Sequence, residues 1–143
     1  MIQRLIDFLN ASPVNFLAVQ ALSDILDANG FQKLDPTSAM VELQPGDQVY
    51  VTKNDSSLYA FRIGSKPLAE NGFHVICAHC DSPTFRIKPN AELIGQGGIV
   101  RLNTEVYGGA ILSTWFDRPL SLAGRVILRT DNPMQPETRL LHV

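Results

Sequence analysis

The chain has 143 residues, of which 45% are apolar and 18% charged, so it has the makings of a folded core and not of a disordered tail. Twelve basic residues against fourteen acidic ones leave a net charge of −2, which gives no cationic surplus for nucleic-acid phosphates. No apolar run reaches the roughly 18 residues needed to span a membrane, and two cysteines make no disulfide framework, so the expected setting is cytoplasmic.

Residues 2–9 put Ile2, Leu5, Ile6 and Leu9 at helical spacing. The first ten residues keep polar side chains at every turn, unlike a secretion signal. Ser12-Pro13 reads as a helix start, with Ser12 as cap and Pro13 at the first helical position. Val14, Leu17, Ala18, Ala21, Leu22, Ile25 and Leu26 continue an apolar stripe, and Asn29-Gly30 ends it.

The period then changes. Residues 41–43, the turn at 44–47 and residues 49–51 predict a hairpin. Residues 53–57 predict another turn, and residues 58–63 another strand. The run at 73–78 (FHVICA) predicts a strand covered on both faces. A helical start followed by strands predicts a mixed α/β layer. Beyond Pro89, glycines punctuate short β-type pieces at 99–102 and 124–128, as in a small β-rich domain. A domain boundary is expected near residue 92, giving parts 1–92 and 93–143. Residues 138–143 read as a strand with no turn or polar tail after it. The sequence is therefore expected to be a piece of something longer.

The segment 77–83 (CAHCDSP) carries the most chemistry. A histidine that binds a metal through one ring nitrogen needs its other N–H held by an acceptor. His79 could be that ligand and Asp81 the orienting carboxylate, or Asp81 could itself touch the metal. A hydrogen-bonded structural histidine is the alternative, since a bare H-x-D arises easily by chance. Cys77 and Cys80 have redox or zinc spacing. A strand precedes them and Asp81 follows, which disfavours a thiolate. Cys77 is expected to be a small buried core residue. His74, an odd number of positions before His79, is expected on the opposite strand face and so not to share a metal with it, and His142 is expected to be structural. Residues 114–119 (TWFDRP) predict aromatic packing, a surface ion pair and a contact surface.

Three stretches share one family resemblance. Residues 7–19 (DFLNASPVNFLAV) match its opening helix pair around an S-P step. Residues 78–89 (AHCDSPTFRIKP) are similar to its A-H-T-D-S-P motif with an R-x-K-P continuation. Residues 105–126 (EVYGGAILSTWFDRPLSLAGRV) are similar to its Y-G-G and W-x-D-R-x-L-x-L-A-G-R-V block. Together they make the chain look like the aspartyl aminopeptidases, which are zinc-dependent exopeptidases with two metals per site. The matches run in order over nearly the whole chain and cover roughly the first third of a family member.

The resemblance implies the N-terminal part of an α/β/α sandwich over residues 1–92. It implies the start of an inserted β-rich, subunit-contact domain over 93–143. It makes His79 a ligand of one of two zinc ions, with other divalent metals as substitutes, and Asp81 the residue that supports it. It implies peptide substrates, release of N-terminal amino acids with Asp or Glu among them, and a homo-oligomer. Two departures stand out. Cys80 occupies the family's threonine position, and no further metal ligands are recognisable. The 143 residues are therefore expected to be inactive alone. A non-enzymatic β-rich assembly module and a thiol protein using Cys77 and Cys80 are the competing readings.

Overall fold

The computed structural model describes residues 2–37 and 41–143. Helix α1 spans Ile2–Ala11 and α2 spans Asn15–Ala28. The apolar stripe builds both, but the start of α2 differs from expectation. Its cap is Val14, in extended backbone and without a side-chain cap bond. Ser12 Oγ is buried with no hydrogen-bond partner among the described residues. Because the helix begins only at Asn15, Ser12 lies three residues before its first helical residue, too far upstream to cap. The end of α2 follows the pattern. The Asn29 N–H donates to the Ile25 and Leu26 carbonyls, and Gly30 takes φ 81°. No described helix is long and apolar enough to cross a membrane.

Strand β1 (Gln32–Lys33) pairs parallel with β2 (Gln48–Lys53), and β2 pairs antiparallel with β3 (Ser57–Arg62). The predicted turn at 53–57 joins β2 to β3. Asn54 and Asp55 take φ of 53° and 50°, a conformation their short polar side chains tolerate. The predicted hairpin over 41–51 does not form. Residues 41–44 make no strand, and the Gly46 N–H donates to the Ile63 carbonyl at 2.9 Å. The Ile63 N–H donates to the Asp47 carbonyl, also at 2.9 Å. The 44–47 turn thus extends the β2–β3 ladder, and its donors are not available to an upstream strand.

The core packs α2 against this sheet. Ala18, Val19, Val49 and Tyr50 are the buried apolar residues among those described. The Tyr50 hydroxyl donates to Asp27 Oδ1 at 2.8 Å. Burial pushes the Tyr50 phenol above its ordinary value, and the bond to Asp27 adds to this. A raised pKa means that the fold favours the neutral phenol. This contribution is complete below about pH 10, the ordinary tyrosine value, and is lost as pH rises through the folded value. Urea midpoints of the wild-type chain are therefore expected to fall above about pH 10, and to fall less in Tyr50→Phe. Identical pH profiles would remove the assignment.

A short helix α3 (Leu68–Asn71) follows β3. The run 73–78, expected as a buried strand, is a second correction. It makes no strand, and Phe73, Val75 and Ile76 are exposed. An apolar strand needs ladder partners and two covered faces. The described strands are paired within three separate sheets, and none of them adjoins this run.

Strand β4 (Thr84–Ile94) pairs antiparallel with β5 (Val100–Tyr107). The register shifts between Ile87 and Glu92. Pro89 lies in the shifted stretch and has no N–H for the ladder. The Asn103 side chain donates to the Asn90 carbonyl at 3.0 Å across the irregularity. Phe85 and Trp115 meet edge to face at 5.1 Å, while Phe116, the other aromatic residue of the 114–119 segment, is exposed. The expected ion pair between Asp117 and Arg118 is absent among the described residues. Arg118 instead reaches the Thr114 carbonyl at 3.5 Å, and Asp117 takes φ 53°.

Gly108 follows β5 at φ 72°, with its missing Cβ position 3.3 Å from Pro83 Cα. A side chain there meets both left-handed strain and a close backbone neighbour. Gly108→Ala is expected to cost about 1–2 kcal/mol. A thermal melt checks this, and an unchanged midpoint would refute it.

Strands β6 (Ala123–Leu128) and β7 (Glu137–His142) form an antiparallel pair in continuous register. Leu122 and Val143 extend it with two reciprocal backbone bonds, of 2.7 and 2.8 Å. The Arg125 guanidinium lies 4.0 Å from the Phe16 ring centre and donates to the Asn54 carbonyl at 2.8 Å. The elements fall into two compact units. One comprises Met1–Asp81 with Leu122–Val143, and the other comprises Ser82–Ser121. The first holds the helices and the strands β1–β3, β6 and β7, and the second holds β4, β5 and two short 3-10 turns.

Candidate metal centre

His79 and Asp81 close the irregular segment that follows α3. The structure brings the two together. His79 Nδ1 lies 3.2 Å from Asp81 Oδ1 and 2.7 Å from the Asp81 carbonyl oxygen. Two acceptors on one ring nitrogen favour the tautomer with its hydrogen there. Nδ1–H donates, and Nε2 keeps its lone pair. The His79 side chain is 79% exposed, so that lone pair is open to an incoming ion. Asp81 is 44% exposed. The second acceptor, a backbone carbonyl, has no signature in the sequence.

The chemistry of the donor set can be tested against a metal. His79 Nε2 fits as one nitrogen donor. A zinc site takes four ligands, three from protein in catalytic sites. No group of three or more His, Cys, Asp or Glu side chains is placed to hold an ion among the described residues. His79 therefore fits as a member of a site and does not build one with its described neighbours.

The remaining candidates separate from it. His74 and His142 are exposed and join no such group. Cys77 is exposed, which corrects its expected burial, because the run that carries it has no covering layer. Cys80 is half-buried, and the two thiols are not bridged. A concavity of about 480 Å³ lies in the larger unit, beside Phe16, Lys33, Asp55, Arg125 and Leu140. Among the described residues Asp55 is its one carboxylate and no histidine or cysteine lines it, so they offer no metal ligand set there.

Comparison with known proteins gives a consistent pattern. The family described as aminopeptidase I zinc metalloprotease (M18) matches residues 8–143. A probable M18 family aminopeptidase 2 of Clostridium acetobutylicum is 48% identical over 141 residues, covering 99% of this chain and 32% of the relative. Among solved structures, Ape4 from a complex with Nbr1 is similar with TM-score 0.88 and 41% identity, over 99% of this chain and 27% of that one. The dodecamer of mApe1 from S. cerevisiae is similar with TM-score 0.84 and 27% identity, over 98% of this chain and 32% of its own. The chain thus spans about a third of the length of the curated relatives it matches.

Proposed function

Because this chain belongs to the M18 family of aminopeptidase I zinc metalloproteases, we propose that the whole protein is a metal-dependent aminopeptidase. It releases N-terminal amino acids from peptides, Asp and Glu among them. The observation that carries this reading is the family match over residues 8–143, which spans the H-x-D pair. The chemistry that two zinc ions supply when bound is Lewis-acid activation of water and of the scissile carbonyl. His79 would hold one of them through Nε2, and other divalent metals could substitute. Asp81 is a positioning residue: it keeps the proton on Nδ1 and fixes the ring. Cys80, in place of the family's threonine, changes a neighbour of the site and leaves the ligand intact.

The same reading assigns residues 1–92 to part of an α/β/α sandwich catalytic domain. It assigns residues 93–143 to the start of an inserted β-rich domain used in subunit contacts. The dodecameric state of the S. cerevisiae relative supports a homo-oligomer. A cytoplasmic location belongs to the same proposal.

Turnover of aspartyl and leucyl chromogenic substrates by the complete gene product tests the activity. Loss with chelator and recovery with zinc are expected. An oligomer with no turnover and no response to chelator would favour the assembly module instead. The isolated 143 residues are expected to give no turnover and only weak zinc binding, since one histidine cannot replace a full ligand set. Turnover by the isolated chain, abolished in His79→Ala, would overturn this.

A further inference from the structure

We draw no further inference here: the strongest candidate, the exposed apolar run at residues 73–76 that leads into His79, is an unpartnered face, and nothing in the structure shows what covers it.

Discussion

His79→Ala in the whole protein is expected to abolish peptide hydrolysis, whereas Asp81→Asn is expected to lower it by about 10-fold. The two outcomes differ because the two residues have different jobs in the proposed site. In that proposal His79 would supply the nitrogen that meets the ion, and alanine would leave nothing in its place. Losing a ligand should exceed the roughly 10–100-fold loss typical of an outer-shell partner. Asp81 acts through His79. Its carboxylate is 3.2 Å from Nδ1, but its own carbonyl is closer, at 2.7 Å. Asparagine removes the negative charge and leaves that carbonyl where it is. The tautomer is therefore partly retained, which puts Asp81→Asn at the lower end of the range. Zinc content and kcat, measured together on both variants, check the assignment. Wild-type zinc content and turnover in His79→Ala would remove His79 from the site. Equal and complete loss in both variants would mean that Asp81 touches the ion directly.

Local periodicity and turn chemistry were legible wherever the fold depends on near neighbours. The stripe of α2 and its Asn29-Gly30 end are set within a few residues, and so is the 53–57 turn between β2 and β3. Strand pairing is different, because a ladder depends on what arrives from elsewhere in the chain. Residues 41–44 alternate like a strand, yet the neighbouring turn gives its N–H to Ile63. The run 73–78 has the composition of a buried strand and stands without one. Burial of Cys77 was inferred from that strand and failed with it. At the candidate site, the side-chain pair was legible because both partners are distinctive residue types two positions apart. Its shorter contact is to a carbonyl that every residue possesses, so no residue type announces it.

Tyr50→Ala is expected to be the most damaging single substitution in the core, at about 3–5 kcal/mol, the usual range for truncating a buried aromatic ring. Tyr50 is 1% exposed and shares its core with Val19, Ala18 and Val49. Few other buried side chains are available to offset the cavity, because the larger exposed apolar residues lie on the surface. Domains of this size are stable by only about 5–15 kcal/mol, so the loss consumes a large share of the margin. Tyr50→Phe separates packing from hydrogen bonding. It keeps the ring and removes the hydrogen bonds of the hydroxyl, the 2.8 Å bond to Asp27, whose exposed carboxylate can turn to water, and the one with Ser23. That change should cost about 0.5–1.5 kcal/mol. Urea titration followed by far-ultraviolet circular dichroism compares the two variants on the same chain. If Tyr50→Phe proves as damaging as Tyr50→Ala, the bond between β2 and α2, and not the buried ring, holds the sheet against the helix.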